Sequence, residues 1–331
     1  MFLSRRLIVS CLLLAAGCFA IGLWSLQSGA VPLETGQIIA ALLGDAPRNI
    51  TLVVTEWRLP RVLMALLIGA ALGVSGAIFQ SLMRNPLGSP DVMGFNTGAW
   101  SGVLVAMVLF GQHLTAIALA AMAGGIVTSL IVWLLAWRNG IETFRLIIIG
   151  IGIRAMLVAF NTWLLLQASL ETALTAGLWN AGSLNGLTWA KTWPSAPLIM
   201  VMVMLTGAAL LVRRMRLLEM GDDSACALGV SVERSRLMLM LVAVSLTAAA
   251  TALAGPISFI ALVAPHIARR LSGTARWGLT QSALCGALLL LAADACAQQL
   301  FMPYQLPVGV VTVSLGGIYL IVLLIQESRK K

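Results

Sequence analysis

Long apolar runs separated by short polar or basic stretches form the dominant pattern along this chain. We place them near 7–26, 61–80, 92–110, 114–137, 144–167, 193–212, 236–255, 278–297 and 307–326. Each run is close to the roughly 20 residues that a helix needs to cross the hydrocarbon core of a bilayer. Because an open strand would leave backbone groups unpaired in lipid, the runs predict membrane-spanning helices. The expected fold class is therefore an all-α polytopic membrane protein.

Residues 258–271 form a shorter apolar run, and the positions of basic residues decide whether it crosses the bilayer. Arg5 and Arg6 place one end of the chain in the cytoplasm, and the basic residues at 329–331 place the other end there. Two ends on one side require an even number of crossings, so we predict that 258–271 is the eighth of ten spans. On this topology few basic residues lie on the outer side: Arg48, Arg58, Arg61 and Lys191.

Composition supports the same environment. Hydrophobic residues make up 60% of the chain and charged residues only 10%, whereas a soluble domain carries about 25% charged residues. The net charge of +9 would otherwise suggest nucleic acid as a partner. Here the basic residues lie between apolar runs, so membrane topology explains them and no nucleic acid is expected.

Several polar stretches between the spans carry a more specific pattern. Residues 84–90 read RNPLGSP, and residues 255–269 read GPISFIALVAPHIAR. Further stretches are RLPR at 58–61, LGV at 228–230 and LPVGVVT at 306–312. Together they resemble the permease subunits of ATP-driven importers of ferric siderophores and vitamin B12. Within that family the chain most resembles the membrane subunits for ferric enterobactin.

The resemblance implies a complete architecture and assembly. It implies a single domain over 1–331, with about ten helices of the type II importer kind in two inverted-repeat halves. The expected partners are a second homologous permease, two copies of a cytoplasmic ATPase and a periplasmic ferric-siderophore-binding protein. The expected substrate is a ferric siderophore carried from periplasm to cytoplasm across the bacterial inner membrane. No cofactor or protein metal site is expected, because the iron arrives enclosed by the siderophore.

The source of energy is expected to lie in another subunit. A nucleotide-binding P-loop needs a Gly-rich turn ending in Lys and then Ser or Thr. The lysines of this chain are Lys191, Lys330 and Lys331, and none follows such a turn. Catalytic motifs with paired carboxylates, His-Glu-x-x-His or Ser-His arrangements are also absent from the sequence, so the chain is predicted not to be an enzyme.

The loop at about 213–235 is the predicted docking surface for the ATPase. Apolar residues alternate there with charged ones, as in a helix that inserts into a groove. Asp223 or Ser224 is predicted to cap a short helix that Gly229 ends. The resemblance implies two short coupling helices, and a surface loop lying on the bilayer is the alternative. The predicted coupling residues are Leu217, Leu218, Glu219, Met220, Gly221, Ala225, Leu228 and Gly229.

Polar residues in and near the fifth span are candidates for the pathway. Arg154 and Asn161 lie two turns apart in that span, and an intramembrane Arg is a functional candidate by default. Structural pairing of Arg154 with a carboxylate or helix end is the alternative. The turn around Asn139 and Gly140 resembles the inner gate of the family.

The outer side carries a candidate docking site for the binding protein. In the family resembled, arginines matching Arg58 and Arg61 contact acidic residues of that protein. The alternative is that both side chains anchor the helix at the lipid headgroups. Asp294 near the outer end of the ninth span is expected to serve helix packing rather than a proton relay.

A different transport class remains open on the residues alone. An ion-gradient-driven secondary transporter or channel would also suit Arg154, Asp294 and the weak similarity between 76–79 and 255–259. Sensitivity of the flux to a protonophore, without a need for ATP, would distinguish it from an ATP-driven importer.

Overall fold

The computed structural model describes residues 5–29, 31–91, 93–111, 113–137, 143–192, 195–273, 277–300 and 304–328. Within them the chain is helical and contains no strand. In chain order the helices are α1 Arg5–Gln27, α2 Thr35–Leu43, α3 Arg48–Leu52, α4 Leu59–Met83, α5 Phe95–Phe110, α6 Leu114–Ala136, α7 Thr143–Gln167, α8 Leu170–Asn180, α9 Trp189–Thr192, α10 Ala196–Glu219, α11 Asp222–Ala227, α12 Val232–Ala254, α13 Ile260–Ser272, α14 Leu279–Gln299 and α15 Val308–Ser328. A π-helical stretch, Val53–Arg58, joins α3 to α4.

The predicted spans correspond to α1, α4, α5, α6, α7, α10, α12, α13, α14 and α15. Among the described residues, seven helical stretches are long and apolar enough to cross a membrane, and α5 and α15 contain shorter apolar helices. The predicted fold class, an all-α polytopic membrane protein, is confirmed. The division into two inverted-repeat halves stays a prediction.

The predicted eighth span needs a correction in its form. Helix α13 has 13 residues, which corresponds to about 20 Å against about 30 Å of hydrocarbon. The stretch before it is irregular, with positive φ at Gly255 and Phe259, and Ile257 in it is buried. Irregular backbone is tolerated at membrane depth where protein surrounds it. The chain therefore returns as an irregular stretch followed by a short helix.

Contacts at the helix ends define two faces of the bundle. Arg58 at the start of α4 binds carbonyls at the end of α1, so α1 and α4 run in opposite directions. Arg84 at the end of α4 contacts α11. Gly273 after α13 lies close to the Arg6 guanidinium at the start of α1. The face that holds Arg84, α11, Gly273 and Arg6 is called the α11 face. Helix α13 therefore ends at the same face as α4.

Helices α4, α12 and α14 form the centre of the bundle, because most of their side chains are buried. Glycines allow α4 and α14 to touch along their backbones. A Cβ on Gly73 would lie 2.1 Å from the Ser282 carbonyl oxygen, and one on Gly69 would lie 2.4 Å from the Gly286 oxygen. Small residues of this kind are typical of tightly packed membrane helices.

Short helices cover the face opposite the α11 face. Helix α2 begins with a capping box between Glu34 and Gln37. The Ser169 side chain caps helix α8. The connections that contain α2 and α8 are therefore folded parts of the bundle rather than free loops.

Candidate functional site

A cavity of about 810 Å³ opens where six parts of the chain meet. Its walls come from α5, α7, α15, the end of α8, and the irregular segments before α5 and α13. The side chains that line it include Trp100, Phe259, Asn96 and Asn180. Aromatic rings and carboxamides in one cavity suit a ligand that has both apolar and polar surface.

Arg154 and Asn161, both predicted as pathway residues, line this cavity. Arg154 is exposed to it and forms no ion pair with a carboxylate in the described part of the chain. Asn161 is only 4% exposed. Its Nδ2 donates to the Thr97 carbonyl oxygen at 3.5 Å, whereas its buried Oδ1 lacks a partner among the described residues. The structure therefore places the Arg154 guanidinium in the same cavity as Asn161, whose side-chain oxygen accepts no hydrogen bond from the described residues.

The Asp91 carboxylate, which also lines the cavity, organises its wall in a way that no sequence pattern indicates. It accepts hydrogen bonds from Asn96 Nδ2 and, at 3.4 Å, from the Phe259 backbone N–H. Asn96 Oδ1 in turn accepts one from Thr251 Oγ1 at 3.1 Å. These contacts connect α5, α12 and the start of α13. Asp91 thus fixes three elements that meet at the cavity.

The predicted coupling loop lies on the α11 face, but its local structure differs from the prediction. Helix α10 continues to Glu219, and a single short helix, α11, precedes α12. Gly221, with φ 109°, is the N-cap of α11, rather than Asp223 or Ser224. The Asp222 carboxylate binds Arg84 and Arg236 instead. Gly229, at φ 79°, follows the helix as predicted.

The predicted coupling residues divide into exposed and buried groups. Met220 is 62% exposed and Leu228 is 58% exposed. Leu218 and Ala225 are buried in the core, and Leu217 is half-buried against it. Leu218 and Ala225 therefore face inward and are unsuited to contact another subunit directly. Met220 and Leu228 are the predicted coupling residues that expose large apolar side chains on this face.

Arg58 has internal partners. Its Nη1 donates to the Leu26 and Gln27 carbonyl oxygens at 2.7 and 3.3 Å, and its Nη2 donates to the Val31 oxygen at 2.6 Å. These acceptors lie at and beyond the end of α1, where carbonyls lack helical partners. Arg58 therefore binds the carbonyls at the end of α1 and holds this end against the start of α4.

Arg61 forms a bidentate ion pair with Asp294. Its Nε and Nη2 donate to Asp294 Oδ2 and Oδ1 at 2.9 and 2.8 Å. The side chains are 13% and 2% exposed, and Gln298 Nε2 also donates to Asp294 Oδ2 at 2.8 Å. The pair joins α4 to α14, in line with the packing role expected for Asp294. The docking role of Arg58 and Arg61 stays a prediction.

The gate residues Asn139 and Gly140 lie outside the described residues. The other predicted residues lie at three separate places: the cavity, the α11 face and the opposite end of α4.

A family model matches residues 14–326 and describes the FecCD transport family. The chain belongs to the FecCD transport family. It is 86% identical, over all of its length and 99% of the relative, to the ferric enterobactin transport system permease protein FepG of Escherichia coli strain K12. It is 36% identical to the Fe(3+) dicitrate transport system permease protein FecD of the same organism, over 97% of this chain and 98% of the relative.

A solved structure shares the fold of this FecCD protein. It is described as an inward-facing conformation of a metal-chelate type ABC transporter. The TM-score is 0.85 at 26% identity, and the match covers 96% of this chain and 98% of that one. The fold of this FecCD member is therefore that of an ABC importer permease.

Proposed function

We propose that this chain is a membrane-spanning subunit of an ATP-binding-cassette importer that carries ferric enterobactin from periplasm to cytoplasm. The 86% identity to FepG over the whole chain carries this proposal. The chain itself hydrolyses no ATP, because its part is to form the pathway and to respond to an ATPase bound on the α11 face.

The proposed assembly contains a second homologous permease, two ATPase subunits and a periplasmic binding protein. Helices α7 and α15 flank the cavity and expose large apolar side chains, among them Met156 at 70% and Ile318 at 60%. A second permease that packs against this side would enclose the cavity between two subunits. The proposed topology places the α11 face and both termini in the cytoplasm of a bacterial inner membrane, and it places Arg58 and Arg61 toward the binding protein.

The cavity is the proposed pathway of the substrate through this subunit. Ferric enterobactin is a trianionic complex with catecholate rings. Arg154 offers a cation without an ion-pair partner among the described residues, and Trp100 and Phe259 offer aromatic surface. Electrostatic complementarity of this kind guides a charged ligand and fixes its orientation. The gate at Asn139 and Gly140 is proposed on the resemblance alone.

Complementation tests the proposed function. An E. coli strain that lacks FepG, supplied with this chain, should grow on ferric enterobactin as its iron source. The chain should also co-purify with the second permease and the ATPase of that strain. Failure of both growth and co-purification at normal membrane levels would overturn the proposal.

The role of Arg154 is tested by a matched pair of variants. Arg154→Gln removes the charge and should lower uptake of ferric enterobactin, whereas Arg154→Lys keeps the charge and should retain most of it. Both variants should still assemble with the ATPase, because the Arg154 side chain lines the cavity and does not belong to the α11 face. Equal uptake by both variants would show that the charge has no part in the pathway.

A further inference from the structure

The segment at residues 84–91, between α4 and α5, extends from the α11 face to the cavity. We infer that the 84–91 segment transmits movement of α11 to the cavity wall, with Arg84 and Asp91 as the positioning residues at its two ends. This inference rests on the proposed function, since it concerns how the ATPase-bound face would act on the substrate pathway.

The Arg84 end is attached to α11 and to the end of α10. Arg84 Nη2 donates to the Leu218 carbonyl oxygen at 3.1 Å and to Asp222 Oδ1 at 2.8 Å. One turn earlier, Ser81 Oγ donates to Glu219 Oε1 at 2.9 Å. Arg84 has φ 49°, a left-handed conformation that only a few per cent of non-glycine residues adopt. The contacts to α10 and α11 hold this conformation, so a displacement of α11 acts directly on the first residue of the segment.

The interior of the segment is compact rather than loose. Asn85 Oδ1 accepts a hydrogen bond from the Leu87 N–H at 2.9 Å, and the Asn85 carbonyl accepts one from the Gly88 N–H at 3.0 Å. Pro86 and Pro90 fix φ at two positions. A Cβ on Gly88 would lie only 2.8 Å from the Met83 sulfur. A segment with this many internal restraints moves as one body instead of absorbing a displacement.

The Asp91 end is attached to three walls of the cavity. Its carboxylate binds Asn96 in the first turn of α5 and the Phe259 N–H at the start of α13. Phe259 has φ 70°, so the hydrogen bond to Asp91 helps to hold a strained residue whose ring packs on Gly316 of α15. The Gly94 N–H also donates to the Asp91 carbonyl at 3.3 Å, and Gly94 lies against the backbone of Arg154. Movement of Asp91 would therefore shift the start of α5, α13 and the contact with Arg154 together.

Arg236 provides a control that the chain itself offers. It donates to the same Asp222 Oδ1 as Arg84, at 2.9 Å, but it belongs to α12 and not to the 84–91 segment. Replacing either arginine removes one cation that pairs with the Asp222 carboxylate. Only removal of Arg84 detaches the segment from α11.

The experiment measures the coupling of uptake to ATP hydrolysis in proteoliposomes that contain this chain, its permease partner and the ATPase. Binding protein and ferric enterobactin are added to the assay. The readout is uptake per ATP hydrolysed, together with ATPase association. Arg84→Gln should keep association and hydrolysis but lower uptake per ATP at least about tenfold, because both hydrogen bonds of the Arg84 guanidinium to α10 and α11 are lost. Arg84→Lys should recover a large part of it, and Arg236→Gln should retain the wild-type ratio.

A second readout follows the cavity directly. Spin labels at Ser258 and Thr97, introduced as cysteines after the native cysteines are replaced, should change their separation when ATP binds to the wild-type complex. The change should be lost in Arg84→Gln and kept in Arg236→Gln. If Arg84→Gln does not assemble, Asp91→Asn tests the other end and should likewise lower uptake per ATP while hydrolysis continues.

The outcomes separate this inference from the proposed function. A wild-type complex without ATP-driven uptake would overturn the proposed function and the inference with it. Wild-type uptake together with normal coupling in Arg84→Gln and Asp91→Asn would overturn the inference alone. Equal loss of coupling in Arg84→Gln and Arg236→Gln would also overturn it, since the effect would then belong to Asp222 and not to the segment.

Discussion

Removal of the Asp294 carboxylate should destabilise the bundle, because it leaves Arg61 without its ion-pair partner. Two hydrogen bonds join the side chains across α4 and α14, and the carboxylate is 2% exposed. Gln298 also donates to Asp294 and would lose its acceptor. The substitution Asp294→Leu is therefore expected to act on packing between two of the central helices.

Two estimates meet at about 3 kcal/mol, the first at its lower end and the second at its upper limit. Breaking a buried ion pair by removing one partner costs about 3–5 kcal/mol in soluble proteins. Hydrogen bonds between membrane helices contribute up to about 1.7 kcal/mol each, and two of them are lost here. Arg61 is 13% exposed and can partly reach solvent, which favours the lower end of the range. We expect Asp294→Leu to lower the free energy of unfolding by about 3 kcal/mol.

The measurement is a double-mutant cycle on purified protein, unfolded in mixed detergent micelles and followed by tryptophan fluorescence. Arg61→Met combined with Asp294→Leu removes both charges, so the pair of substitutions should destabilise less than Asp294→Leu alone. Two results would refute the reasoning: a loss below about 1 kcal/mol for Asp294→Leu, or strictly additive effects in the double variant. Either result would show that Arg61 is not needed for helix packing and would favour docking of the binding protein as its main role.

Further predictions concern the α11 face and the helix packing. Met220→Asp or Leu228→Asp should weaken ATPase association by about 1–3 kcal/mol, since each places a charge in the proposed interface; a normal pull-down would contradict this. Exposed Cys226 should react more slowly with a maleimide once the ATPase is bound, as read by site-resolved mass spectrometry, and an unchanged rate would count against contact at α11. Gly73→Ala should abolish folded yield by size-exclusion chromatography, because its Cβ would lie 2.1 Å from a carbonyl oxygen of α14. Gly207→Ala, whose Cβ would lie 3.6 Å from its nearest neighbour, is the matched control and should keep the yield.

The sequence was sufficient for the spans because a single physical requirement determines them. A helix must present about 20 apolar residues to cross the hydrocarbon core, and most of the predicted runs coincide with helices. The form of α13 was not accessible in this way, because its crossing depends on buried irregular backbone before Ile260. Burial by neighbouring elements, rather than apolar length, makes that stretch tolerable.

The candidate site was only partly accessible for a related reason. An arginine in a span is unusual enough to be noticed alone, so Arg154 could be singled out. The partners of Asp294 and Asp222 lie far away in sequence, at Arg61 and Arg84, and nothing local indicates such pairs. In the coupling loop, the division between buried Leu218 and exposed Met220 depends on how α10 packs. A helix as short as α11 has too few residues for its periodicity to show this.

Uptake of ferric enterobactin into proteoliposomes tests whether this chain belongs to an ATP-driven importer. The vesicles would contain this chain, its permease partner and the ATPase, with the loaded binding protein on the opposite side from ATP. We expect accumulation that requires hydrolysable ATP, stops when the P-loop lysine of the ATPase is replaced, and is insensitive to a protonophore. Accumulation that proceeds without ATP and collapses with the protonophore would contradict this expectation and show a secondary transporter.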